Sequence, residues 1–270
     1  MSEQRLKGHY EIQNTIFQGL VSMIEFPASI ISPIGIIHSC YPEKFGIPRQ
    51  PGLVRSSSGR LELLPPYNRE EMVKGLESFS HIWVSFLFHE AVGDGWRPTI
   101  RPPWLGGQKR VGVFASRSPH RPNFLGLSVV RLTGISKENK GLFLEISELD
   151  LLDQTPVIDI KPYVPYSDNV VGARGGFIPP PESVAREVVF TEAAAEFCSD
   201  YEQRTGRRLR LLITETLAQD PRPASQRRQV REYGMALWET NVRWHAQGEY
   251  FLVLSVSDEE GAGNKVSRCK

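Results

Sequence analysis

Leu127–Ser147 reads LSVVRLTGISKENKGLFLEIS. Within it, Leu127–Thr133 and Leu142–Ser147 are alternating or β-branched runs, the period-two signature of strands, and a short glycine-bearing connection joins them. The pattern continues upstream. Ile34–Ile37 is a short apolar run. Ile82–Phe88 (IWVSFLF) is aromatic and apolar with few polar breaks, which predicts a strand buried on both faces. Val111–Phe114 adds another short strand. One helix interrupts them: Asn68 can cap NREEMVKGLESF, with Glu70 and Glu71 in its first turn. Strands at short intervals, Gly/Pro connections and almost no βαβ rhythm predict a barrel or compact antiparallel sheet. No strand–GxGxxG–helix unit, P-loop, HExxH or GxSxG occurs, which disfavours a Rossmann fold and the hydrolase and zinc-peptidase classes.

Proline usage suggests a boundary. Eighteen of the 20 prolines fall by Pro181, and Gly172–Pro181 (GARGGFIPPP) reads as a linker. The expected organisation is an appendage over 1–28, a larger β domain over 29–168, a linker over 169–181, a small α+β domain over 182–258 and a tail over 259–270. In the smaller domain Thr191 can cap EAAAEFCSDYEQR, and Arg208–Leu217 forms a second, more apolar helix. Val242–His245 and Tyr250–Val256 read as a hairpin joined through Gln247-Gly248-Glu249.

The 270 residues are 40% hydrophobic and 23% charged, with 32 basic against 31 acidic side chains. That composition excludes general disorder and a uniformly cationic nucleic-acid binder. Cys40, Cys198 and Cys269 are far apart with no CxxC pair, which argues against a disulfide framework or a zinc site and for free thiols in a reducing compartment. The N-terminus lacks the pattern of a signal peptide, and no run approaches the ~18 apolar residues of a membrane span. The expectation is a soluble cytoplasmic protein without a membrane or metal partner; no two histidines have metal-ligand spacing.

Charge is separated along the chain. Gly93–Ser128 carries six basic residues against Asp94, and Arg204–Arg231 carries eight arginines against Glu215 and Asp220. In the first segment arginine stands beside proline and tryptophan (Trp96, Trp104), a stiff cationic loop suited to phosphate or carboxylate groups. Lys44–Arg55 (KFGIPRQPGLVR) is a second basic, proline-rich loop. Leu149–Tyr166 (LDLLDQTPVIDIKPYVPY) gathers Asp150, Asp153 and Asp159 near Lys161; on spacing alone these aspartates are turn or cap residues. Tyr201, Tyr233 and Trp238 flank the second basic stretch, and basic residues interleaved with aromatics suit an RNA surface. A solvated basic exterior is the plainer alternative for both stretches.

Lys44–Arg55, Gly95–Pro103 (GWRPTIRPP), Gly112–Ser128 (GVFASRSPHRPNFLGLS) and Leu149–Tyr166 together resemble the TsaA-like (TrmO) family of tRNA adenosine-37 N6-methyltransferases. Leu217–Pro223 (LAQDPRP) and Tyr233–Trp244 (YGMALWETNVRW) resemble that family's C-terminal region. The resemblance spans about Ile34 to Val256. It implies a single-sheet β-barrel that binds S-adenosylmethionine without a Rossmann fold, a homodimer, and N6-methylation of N6-threonylcarbamoyladenosine beside the anticodon. It implies a cofactor site at Pro48, Arg49, Gln50, His89, Glu90, Arg117, Leu127, Asp153, Gln154, Thr155 and Pro156. The methylated nitrogen must lose a proton, and the expected acceptor is a carboxylate or backbone carbonyl near Asp153–Pro156, with Asp153 as the catalytic carboxylate. Arg117 or Arg121 can hold the carboxylate of the threonylcarbamoyl group, and Arg97 also faces the substrate. Arg207, Arg208, Arg222, Arg227 and Arg228 are expected on tRNA phosphates. Two positions depart from the family's pattern. RPNPIG reads Arg121-Pro122-Asn123-Phe124-Leu125-Gly126, and DGTP reads Asp153-Gln154-Thr155-Pro156, where glutamine disfavours the positive φ that glycine permits. The alternatives are a non-catalytic RNA- or protein-binding adaptor and a methyltransferase acting on a small metabolite.

Overall fold

The computed structural model describes residues 31–102, 105, 108–139, 141–178, 186–223, 226, 227, 229 and 231–258. The appendage over 1–28, the tail over 259–270, Trp104, Cys269 and Arg228 therefore lie outside the described residues. From Pro33 onward the chain forms one compact unit.

Six strands hydrogen-bond in a closed, wholly antiparallel ring: β1 (Gly35–Ser39), β2 (Ser58–Leu63), β7 (Gly141–Ser147), β6 (Leu125–Glu138), β3 (His81–Leu87) and β8 (Pro156–Pro162). β8 completes the circuit, since Val157 pairs with Gly35 on one side and with Phe86 on the other. β6 is long enough to serve two neighbours. Its first half pairs with β3, its second half with β7, and Arg131 faces both His81 and Ser147. A register shift at Leu132/Gly134 falls where β6 changes partners, the place where an extra residue bends a strand. Alternation aims Ile37, Leu61, Ile82, Val84, Val130, Leu144, Ile146 and Val157 into the interior, all at most 2% exposed. Burying each such side chain is worth about 1.5–3 kcal/mol.

The mainly-β class expected from Leu127–Ser147 is observed, with several corrections. β3 is not buried on both faces: it alternates, and Trp83, Ser85 and Leu87 stay half-buried on the far side of the ring wall. The helix after Asn68 is a single turn, α1 (Glu70–Val73), with Arg69 rather than Asn68 at its cap position and no side-chain cap bond. Gly75 at φ 87 ends it, and a short 3-10 turn follows. β2 and β8 escape the apolar-run criterion because polar and charged residues (Ser58, Arg60, Glu62; Asp159, Lys161) occupy alternate positions on their outer faces.

The second sheet has the order β10 (Glu232–Leu237), β11 (Thr240–Gln247), β12 (Tyr250–Asp258), β9 (Glu187–Phe190), with β9 parallel to β12. The expected hairpin is there: Gln247 faces Tyr250, leaving Gly248 (φ 54) and Glu249 as a two-residue turn. Both expected helices form, α3 (Glu192–Thr205) and α4 (Leu209–Ala218), after α2 (Pro165–Asp168), a single turn that follows β8. Thr191 Oγ1 accepts the Ala194 N–H at 3.3 Å and caps α3.

The two sheets share one hydrophobic core. The loop over 40–57 lies between them and is pinned at both ends. Trp238 N–H donates to Cys40 O at 2.9 Å and Ala236 N–H to Glu43 Oε1 at 2.8 Å. At the other end Ser56 gives both its N–H and its hydroxyl to Glu215 Oε2, each at 2.7 Å.

Candidate functional site: a mixed-charge cavity at the rim of the ring

Segments far apart in sequence meet around a cavity of about 1040 Å³. Its cations are Lys44, Arg49, Arg117 and Arg121; its acids are Glu90, Asp94, Asp150 and Asp159; His89 and His120 complete the ionisable groups. Ile47, Phe86, Phe88 and Leu127 supply apolar wall. A volume of this size, apolar walls and a few convergent polar groups describe a small-molecule site.

Specific bonds assemble the rim. Lys44 Nζ lies 3.3 Å from Glu90 Oε2, joining the 44–55 loop to the turn after β3. The Arg117 guanidinium donates to Gln50 Oε1, joining that loop to the Gly112–Ser128 segment. The arginine-rich segment is tied to itself by β4 (Thr99–Ile100) pairing with β5 (Val111–Gly112), by Arg97 N–H to His120 O at 3.1 Å, and by Arg121 Nη1 to Ser116 O at 2.7 Å. Phe88 N–H donates to Phe124 O at 2.8 Å and holds the loop against the end of β3. Phe124 sits at φ 51, a conformation closed to the proline of the family pattern.

Of the expected cofactor residues, Pro48, Arg49, Gln50, His89, Glu90, Arg117, Leu127 and Thr155 line the cavity, and Asp153, Gln154 and Pro156 do not. Asp153 braces the loop instead. Its Oδ1 accepts the Ser39 N–H at 2.8 Å and its own N–H donates to Tyr41 O at 2.8 Å. One oxygen of its carboxylate is thus taken by the end of β1, and the residue does not line the cavity. Gln154 adopts φ 62 despite being glutamine, so the left-handed turn that a glycine would favour is kept. Pro156 opens β8 opposite Ile36. Thr155 is buried and its carbonyl accepts the Ile37 N–H at 3.0 Å.

The structure brings Asp150 to the cavity wall, a residue the spacing argument left as a turn aspartate. The chain leaves β7 and passes Ser128 of β6, with Leu149 and Leu151 buried on either side of Asp150. Asp150 Oδ1 has no hydrogen-bond partner among the described residues. Burial pushes the Asp150 carboxyl up to about 6, against the lowering pull of the Ser128 hydroxyl and the Arg117 charge. The sequence signal was faint: one acid between two leucines in LDLLD.

Among the substrate-side arginines, Arg121 lines the cavity, whereas Arg97 is exposed and outside its lining. Arg222 does not reach the surface. It is 1% exposed, pairs through Nε and Nη2 with Asp220 at 2.7 and 2.9 Å, and lies 5.3 Å from the Phe251 ring. Burial raises the Asp220 carboxyl, and Arg222 with Arg227 outweighs that and holds it below its usual range. Arg207 bonds Glu239 at 2.9 Å and lies over the Trp238 ring at 5.3 Å. Arg207, Arg208 and Arg227 are exposed. Among the described residues no group of three or more His, Cys, Asp or Glu is arranged to hold a metal, and no helix is long and apolar enough to cross a membrane.

Comparison with known proteins bears directly on this geometry. Residues 36–169 match the model of the tRNA-methyltransferase O N-terminal domain, and residues 183–259 that of the TrmO C-terminal domain. The chain is 44% identical over 225 residues to the tRNA (adenine(37)-N6)-methyltransferase of Escherichia coli K12, covering 83% of this chain and 95% of the relative. It is 50% identical over 217 residues to a putative S-adenosylmethionine-dependent methyltransferase, RcsF, of Pseudomonas aeruginosa, covering 80% and 91%. A crystal structure of TrmO from Pseudomonas aeruginosa superposes with a TM-score of 0.70 at 42% identity, over 85% of this chain and 99% of that one. Two domain models in order and identity along most of the length agree: the chain belongs to the tRNA-methyltransferase O family.

Proposed function

We propose that this protein transfers the methyl group of S-adenosylmethionine to N6 of adenosine 37 in tRNA, and that its preferred target carries the N6-threonylcarbamoyl group. The observation that carries the reading is the cavity. Three basic or acidic segments with no sequence proximity converge there, in a chain of this family. S-adenosylmethionine presents an adenine ring, a carboxylate and two cationic centres. The cavity offers apolar wall for the ring, arginines for the carboxylate, and Glu90 for the positive charge. Pro48, Arg49, Gln50, His89, Glu90, Arg117, Leu127 and Thr155 hold the cofactor, with Asp153, Gln154 and Pro156 shaping the turn that presents Thr155. When bound, the cofactor supplies an electrophilic methyl carbon on sulfonium sulfur. The protein supplies orientation, since in-line displacement rewards correct placement above all.

Arg121 suits the carboxylate of the threonylcarbamoyl group, and Arg117 shares that charge from across the rim. The six-stranded ring serves as the single-sheet barrel of a non-Rossmann methyltransferase. Exposed Arg207, Arg208 and Arg227, with Arg97 near the rim, meet tRNA phosphates. The exposed apolar residues Tyr166, Val170 and Val171 support pairing with a second copy, and a tRNA substrate accords with work in the cytoplasm. The test is nucleoside analysis of tRNA incubated with the full chain and S-adenosylmethionine, comparing tRNA with and without the threonylcarbamoyl group. N6-methyl-N6-threonylcarbamoyladenosine is the expected product. Equal methylation of both tRNAs refutes the specificity, and methylation of neither refutes the reaction.

A further inference from the structure

Four carboxylates line the cavity, and they are not equivalent; Asp94 is exposed on the turn after β3. Glu90 is exposed and paired with Lys44 at 3.3 Å. Asp159 is exposed on β8, and its Oδ1 accepts the Ile160 N–H at 2.9 Å. Asp150 is set into the wall between buried Leu149 and Leu151, with Oδ1 unpartnered among the described residues. A carboxylate without its full set of hydrogen bonds in such a place is costly to the fold, and costs of that kind concentrate where chemistry needs a poised group.

We propose that Asp150 is the proton acceptor of the methyl transfer. The nitrogen lone pair of N6 forms the new N–C bond as the S–C bond breaks with its electron pair left on sulfur. The N6 proton passes to the Asp150 carboxylate and from there to solvent. Charge balances, since one sulfonium becomes a thioether and one proton is released. An exocyclic adenine nitrogen is a weak nucleophile because its lone pair is shared with the ring, so an acceptor for the departing proton gives its largest benefit there. Ser128 and Arg117 are the groups that act directly on Asp150. The other ionisable groups of the cavity come from the 44–49 segment (Lys44, Arg49), the turn after β3 (His89, Glu90, Asp94), the 116–121 loop (His120, Arg121) and β8 (Asp159). The inference rests on the methyl-transfer reading above.

The experiment compares the full chain with Asp150→Asn and Asp150→Glu. Three measurements are made: calorimetric binding of S-adenosylmethionine, single-turnover methyl transfer to threonylcarbamoylated tRNA, and the pH dependence of kcat/KM. Carbon-13 titration of the carboxyl groups of the protein alone adds a readout independent of turnover. Asp150→Asn is expected to bind the cofactor within about threefold of wild type and to lose about 100-fold or more in turnover. The wild-type rate should rise through a limb near the titration of Asp150, which the carbon-13 signal locates. Asp150→Asn should lack that limb, and Asp150→Glu should keep it. A wild-type protein that transfers no methyl overturns the methyl-transfer reading and the acceptor with it. With wild type active, turnover within threefold in Asp150→Asn overturns the acceptor alone. So does a loss confined to cofactor binding. A limb that survives the substitution belongs to another group and also overturns it.

Discussion

Asp150→Asn is expected to make the protein more stable while making it a poorer catalyst. The carboxyl sits at about 6 in the folded chain against an ordinary 3.8, chiefly because burial disfavours its charge. The fold therefore favours the neutral form. The resulting penalty is absent below the unfolded value, grows as pH rises through the window between the two, and is complete above about 6. At ~1.4 kcal/mol for each tenfold change in proton affinity, the penalty at pH 7.5 is roughly 3 kcal/mol. Asparagine keeps the size and a hydrogen-bonding carbonyl beside Ser128 but carries no charge, so the expected gain is about 1–3 kcal/mol at pH 7.5, or roughly 2–12 °C in Tm. At pH 4.5 most of the penalty has already gone in wild type, and the gain should shrink to about a third. Urea denaturation of both proteins at the two pH values measures it. A variant less stable than wild type at pH 7.5, or a gain that does not change with pH, would refute the reasoning. Either result would mean that Asp150 is well solvated or well paired.

Arg222→Ala should destabilise the C-terminal sheet by about 3–5 kcal/mol, because it leaves the Asp220 carboxylate without its buried partner; a drop in tRNA affinity with unchanged urea stability would instead return Arg222 to the RNA surface. Gln154→Gly should stabilise by about 1 kcal/mol through relief of the left-handed conformation at φ 62, and thermal melts that show a loss would mean that the Gln154 side-chain bonds to Asp153 and His38 matter more than the strain. Gly126→Ala should cost about 1–3 kcal/mol and lower affinity for S-adenosylmethionine, since a Cβ at 126 runs into the Phe86 ring at the cavity wall. Calorimetry that finds wild-type affinity in this variant would show that Phe86 can turn aside at no expense to the site.

Periodicity carries far in this chain and stops at definable places. β6, β7, α3, α4 and the β11–β12 turn are legible because their apolar residues recur at the period of the element and their caps or turns use the residues those geometries favour. β2 and β8 are not, since a strand whose outer face is charged dilutes its own apolar signal. The single turn α1 is overcalled because a helical pattern running through Lys74-Gly75 does not weigh what a glycine at φ 87 does to it. The site divides the same way. Basic loops rich in proline mark the rim well, because such composition is rare in scaffold. Asp150 and Asp153 look alike in LDLLD. Their difference is three-dimensional: one meets the Ser39 amide, the other meets the cavity. Arg222 shows the converse, a surface-type residue made interior by an acid two positions away and two aromatic rings from other strands.

The loop over 40–57 has two owners. One stretch of it, Lys44 to Gln50, forms part of the cavity rim; its flanks hang on Trp238, Ala236 and Glu215 of the C-terminal half. Removing that half would therefore cut the moorings of the cavity rim as well as the outer arginines proposed to meet tRNA. A truncated chain that lost activity would say nothing about which loss was responsible. Dissection of this enzyme by deletion is confounded by its architecture, and only point substitutions on the outer arginines can separate grip on the RNA from the chemistry.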